Sequence, residues 1–151
     1  MVQMIDSSKQ QLNSADIVTI ALENNQVSVD GKNKYSPEVA YAAILSEMSQ
    51  PNTEVKQIGN TLFVVHPDKD GRAFFKALNA DSAQKFLSNS KAFCIWAKNE
   101  LQLELLVTEF EDHAIEVLFK AIARNPPFPG MGYQVFHMRS GKTRILLNLG
   151  N

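Results

Sequence analysis

The chain has one cysteine, Cys94, in 151 residues. No intrachain disulfide can form, and a reducing compartment is the expected setting. No apolar run approaches the ~20 residues that a membrane helix needs. Met1 to Asp6 offers no basic segment followed by an apolar one, so no signal peptide and no secretion are expected. Charge is nearly balanced, with 15 Lys and Arg against 16 Asp and Glu. That balance removes any bulk pull toward nucleic acid or anionic lipid. No basic patch with interleaved aromatics stands in for it. His66, His113 and His137 share no metal-ligand spacing, and no second cysteine joins Cys94, so no metal is expected. Internal repeats and low-complexity stretches are also missing. Ser140-Gly-Lys-Thr143 ends like a phosphate-binding loop, but the glycine required five residues before Gly141 falls at Phe136. It reads as a hairpin turn.

What is present is enough apolar residue for a core, 44%. The length suits one domain spanning residues 1–151. Val2 to Ile5 reads as a short edge strand. Helices are expected from Ser14, which would cap its own start, and from Ser36-Pro37, where serine caps and proline loses nothing. Val39, Ala40, Ala43, Ile44 and Met48 form the second helix's apolar stripe. Gly59-Asn60 marks a hairpin between Val55–Ile58 and Thr61–Val65. Ala73-Phe-Phe75 is a short strand. A long helix is expected from about Ala80 to Leu101, with Phe93, Cys94 and Ala97 on its inner face and Asn79 or Asp81 as its cap. The run 103–108 follows as a central strand that is nearly apolar on both faces, with Leu105 in the core. Asp112 opens a last helix, and Tyr133 to Leu149 forms a closing hairpin around Ser140-Gly141.

That order of strand, helix, helix, three strands, helix, strand, helix and two strands resembles the GNAT superfamily of acetyl-CoA-dependent N-acetyltransferases. The resemblance implies an α/β fold with a mixed sheet flanked by helices. It also implies acetyl-CoA binding where the fourth strand meets the third helix. The family holds the pyrophosphate there with a motif of Arg or Gln, two residues, Gly, one residue, and Gly or Ala. The matching segment is Phe75-Lys76-Ala77-Leu78-Asn79-Ala80-Asp81, which has no glycine to let backbone approach a phosphate and ends in a carboxylate. If acetyl-CoA binds, the backbone amides of Leu78, Asn79, Ala80 and Asp81 are the implied contacts. Glu109, at a strand end, is the implied base for the amine. More loosely, residues 59–65, the long helix and Phe119-Lys-Ala-Ile-Ala123 resemble virion-associated proteins of short-tailed podophages that keep a GNAT-like plan without its cofactor motif.

The expectation is therefore a degenerate GNAT-like protein without a cofactor, located in the cytoplasm or a virion. It would serve as an interaction or assembly module, with acetyl-CoA-dependent acetylation of an amine as the alternative. Self-association or a protein partner is expected at Asn125–Tyr133. Three prolines stiffen that segment, which presents Phe128, Met131 and Tyr133. Cys94, between apolar neighbours on a helix, is expected to be buried and inert.

Overall fold

A computed structural model describes residues 11–24, 37–110 and 113–150. The expected strand at Val2–Ile5, the loop at 30–34, the Ser36 cap and the Asp112 cap lie outside the described residues. Chain order gives α1 (Ser14–Glu23), α2 (Pro37–Met48), β1 (Glu54–Ile58), β2 (Thr61–Pro67) and β3 (Arg72–Asn79). Then come α3 (Ala83–Asn99), β4 (Leu105–Phe110), α4 (His113–Arg124), β5 (Gly132–His137) and β6 (Thr143–Asn148). The six strands form one mixed sheet in the order β1-β2-β3-β4-β6-β5.

Three local expectations shift. Asn13, not Ser14, caps α1, accepting the Asp16 N–H at 2.9 Å. The longer Asn side chain at this position satisfies one of the free first-turn donors. The run Ala73–Phe75 is the first half of a longer strand. Residues 73–79 pair along the whole of β2, from Pro67↔Ala73 to Thr61↔Asn79. The helix therefore starts three residues later than expected, at Ala83, with Ser82 as its cap. Third, β4 begins at Leu105 rather than 103. Gln102 takes φ 54°, which interrupts extended backbone, and Glu104 N–H is turned onto the Gly71 carbonyl at 2.7 Å.

Each face of the sheet has its own cluster. On one, Phe93, Cys94 and Ala97 of α3 and Phe119 and Ile122 of α4 cover Phe63, Val65, Ala73, Phe75, Leu106, Ile145 and Leu147. Phe93 lies flat on Phe63, with ring centroids 4.1 Å apart. On the other face, Ile17, Val18 and Ala21 of α1 and Ile44 of α2 cover Leu62 and Leu78. Val39 of the expected α2 stripe is exposed instead. Cys94 is buried, and burial pushes its thiol pKa up to about 12, which leaves it protonated and unreactive.

β4 lies centrally, between β3 and β6. Its pairing with β6 runs from Leu105↔Asn148 to Phe110↔Thr143. Its pairing with β3 does not extend as far, and this asymmetry creates the site described next.

Candidate functional site

β3 and β4 are the sheet's parallel pair, and their register covers only Arg72↔Leu105, Ala73↔Leu106 and Phe74↔Val107. β3 continues to Asn79 and β4 to Phe110, so the strands part toward their C-terminal ends. Each remains hydrogen-bonded to its outer neighbour, β2 or β6. The result is a wedge whose inner edges are strand backbone. Openings beyond the carboxyl ends of parallel strands are where α/β sheets bind ligands. Phe119 of α4 closes the wedge from below: its ring meets Phe75 of β3 at 6.2 Å and Phe110 of β4 at 6.1 Å.

Glu109 stands on the β4 arm of this wedge, directly opposite Arg144 of β6. Arg144 donates to Glu109 Oε1 through Nε at 2.8 Å and through its second guanidinium nitrogen as well. Both bonds fall on one oxygen. Oε2 has no hydrogen bond among the described residues and remains available to a ligand.

The four backbone amides implied for a pyrophosphate sit differently. Leu78 and Asn79 are β3 residues paired to β2. Ala80 N–H donates to the Asn60 carbonyl at 2.9 Å, and Asp81 N–H donates to Asn79 Oδ1 at 3.0 Å. The anion at this helix entrance is the protein's own. Asp81 Oδ2 accepts the Asn60 N–H at 2.8 Å and the Asn89 side-chain amide at 2.8 Å. Its Oδ1 accepts the Asn60 side-chain amide at 3.3 Å. Thr61 and Asn79 complete the knot: Thr61 Oγ1 donates to Asn79 Oδ1 at 2.8 Å and accepts from Asn89 at 3.0 Å. Gly59 is required beside it. It holds φ 56°, and a Cβ there would stand 2.9 Å from Asn89 Nδ2 and 3.0 Å from Asp81 Oδ2. Ser82 Oγ caps the Lys85 N–H. These residues do not fit a pyrophosphate at the α3 N-terminus, because the amides and the carboxylate already satisfy one another.

A polar cluster also lies between α4 and β5. Glu116 is only 4% exposed and receives His137 Nε2 at 3.0 Å. Beside it the Tyr133 hydroxyl is buried without a hydrogen-bond partner among the described residues. Burial, and then the charge of Glu116, push the Tyr133 pKa up. Phe128, Met131 and Tyr133 all lie against the chain's own core. Lys98 Nζ stands 4.4 Å above the Phe128 ring, which anchors the proline-rich segment to α3. Among the described residues, no His, Cys, Asp and Glu cluster could hold a metal, and no helix is long and apolar enough to cross a membrane.

No family model matches the chain, and no curated protein matches it in sequence. Solved structures do. A point mutant of the spermidine N-acetyltransferase SpeG from Vibrio cholerae superposes with a TM-score of 0.56 at 10% identity, covering 93% of this chain and 94% of that one. A GNAT-family acetyltransferase from Bacillus anthracis gives 0.54 at 12% identity, covering 93% of both. A chimera built on the Vibrio cholerae enzyme gives 0.52 at 11% identity, covering 93% and 95%. The fold is the GNAT fold. The match extends over nearly all of both chains in each comparison. At these identities the likeness carries the fold and not the chemistry.

Proposed function

We propose that the chain is an N-acyltransferase that modifies an amine and seats its acyl donor in the wedge between β3 and β4. The parting of the two strands after Phe74 and Val107 carries this reading. Strand edges that no longer pair with each other present amide donors and acceptors to an extended ligand that itself carries amides, by the logic of strand addition. An acyl-coenzyme A has such an arm, and when bound it supplies the acyl group as a thioester. Its pyrophosphate finds no cradle at α3, so the wedge must supply the affinity. Glu109 is the residue to receive the acceptor. Arg144 fixes the carboxylate through Oε1, which leaves Oε2 to face an ammonium and to take its proton. Glu109→Gln keeps the Arg144 contact to a carbonyl oxygen but removes the proton acceptor. Amine acetylation, followed by thiol release from acetyl-CoA, should fall by about 10²-fold or more. An unchanged rate would remove Glu109 from the mechanism.

A second reading has its own support. Asp81 fills the α3 entrance with the chain's own anion. This favours a GNAT fold that has lost its donor and serves as an interaction or assembly module, of the podophage virion-associated kind that the sequence resembles. In that case Phe128 and Met131, on the proline-stiffened segment, are the contacts to test by self-association.

A further inference from the structure

A second polar centre lies on the α2 face of the sheet, toward the end of β2 where β3 begins. A cavity of about 700 Å³ opens there between the last turns of α2 and the rim of β2 and β3. Ala43, Ile44, Pro51 and Pro67 give it apolar walls, and Glu47, His66 and Lys76 converge on it. His66 links two partners. Its Nε2 lies 2.9 Å from Glu47 Oε1, and its Nδ1 lies 3.1 Å from the Thr53 hydroxyl. A carboxylate can only accept, so Nε2 carries the hydrogen. In the neutral ring Nδ1 is then the acceptor, and the hydroxyl donates to it. Lys76 Nζ holds the other carboxylate oxygen at 2.9 Å. Burial tends to raise the Glu47 pKa, but the bonds from His66 and Lys76 outweigh it and hold the carboxyl below its ordinary range. The carboxylate is therefore ionised at neutral pH and fixes the imidazole.

A hydroxyl bonded to an imidazole, whose other nitrogen is oriented by a carboxylate, is the arrangement that activates an oxygen nucleophile. Thr53 follows Asn52, a cavity residue held at φ 61°. Gln50 and Asn52 also line the cavity, and their residue type carries the amide donors that a developing oxyanion needs. We infer that Thr53, His66 and Glu47 form a second catalytic centre, separate from the wedge, which cleaves carboxylic esters with a small acyl group. Thr53 Oγ forms a bond to the acyl carbon while its proton passes to His66 Nδ1. The ester C–O bond breaks, and the leaving alkoxide takes that proton. Water then attacks the acyl-threonine, again through His66, and releases the acid and the free hydroxyl. Thr53 and His66 touch the reacting atoms, and Glu47 positions the ring.

The test uses the full chain with p-nitrophenyl acetate and a fluorophosphonate probe read by intact mass and peptide mapping. The expected result is turnover, with probe attached at Thr53. Thr53→Ser should retain both, because the nucleophile remains. Thr53→Val keeps the shape, and His66→Ala removes the base; each should lower turnover by about 10²-fold or more. Glu47→Gln should lower kcat with KM little changed and shift the pH profile, which a merely structural bond would not do. Circular dichroism establishes that each variant folds, and Thr53→Val serves as the decisive variant where His66→Ala does not. Turnover that survives Thr53→Val in a folded protein overturns the inference. So does probe found on another residue, or the absence of both turnover and labelling in the unmodified chain.

Discussion

Leu106→Ala should destabilise the fold by about 2–5 kcal/mol, the range for truncating a fully buried leucine into a cavity. Leu106 is 0% exposed and packs in the same cluster as Phe93, Ile122 and Leu147. It sits in the central strand, between Ala73 of β3 and Leu147 of β6. Neighbours held on both sides by strand pairing cannot easily collapse into the space left behind, so the upper half of the range is expected. Leu105, the residue that alternation singled out, is only half-buried on the opposite face. Leu105→Ala should cost about 1 kcal/mol or less, because less apolar surface leaves water when it folds. Urea titrations of the two variants check the contrast. Equal costs would show that the two faces of β4 are not packed as described.

That contrast also marks what the sequence could tell. Leu103, Leu105 and Val107 alternate with Glu104, Leu106 and Thr108, so the pattern favours the odd-numbered set, and only packing under α3 and α4 makes Leu106 the fully buried leucine. Element order was legible because caps, Gly59-Asn60 and the prolines punctuate it. The length of β3 was not, because Lys76, Ala77 and Asn79 have weak strand preference and tertiary pairing with β2 decides the matter. Glu109's place at a strand end could be read from the sequence. Its Arg144 partner could not, because 35 residues separate them and only sheet register brings them together. The Asp81 carboxylate was visible as a charge where a glycine motif was sought. That it would be satisfied by Asn60 and Asn89 was not visible, since those contacts span the hairpin and α3.

Asp81→Ala should have the second large effect. It removes the acceptor of the Asn60 N–H and of the Asn89 amide at once. Hydrogen bonds to a charged acceptor are each worth about 1.5–3 kcal/mol, and a buried donor left alone carries its desolvation cost. Asn60 is 5% exposed. A total loss of about 2–4 kcal/mol is expected, discounted because Asp81 itself is only partly buried. Inorganic phosphate should then recover part of the lost thermal stability in the variant and do little for the parent chain, since it can replace the missing anion at the α3 entrance. If phosphate stabilises both proteins equally, Asp81 is not the occupant of that anion site.

The central claim is that the wedge, and not the α3 entrance, seats an acyl donor. The most direct measurement is calorimetric titration of the unmodified chain with acetyl-CoA and, in parallel, with S-acetylpantetheine, which has the amide arm and thioester but no pyrophosphate. Both should bind with a Kd on the order of 0.1–1 mM, within about threefold of each other, because the pyrophosphate adds little where Asp81 stands. Acetyl-CoA binding a hundredfold tighter than acetylpantetheine would contradict the account by showing that the pyrophosphate is held after all. No heat from either ligand at millimolar concentration would contradict it in the other direction and leave the interaction module.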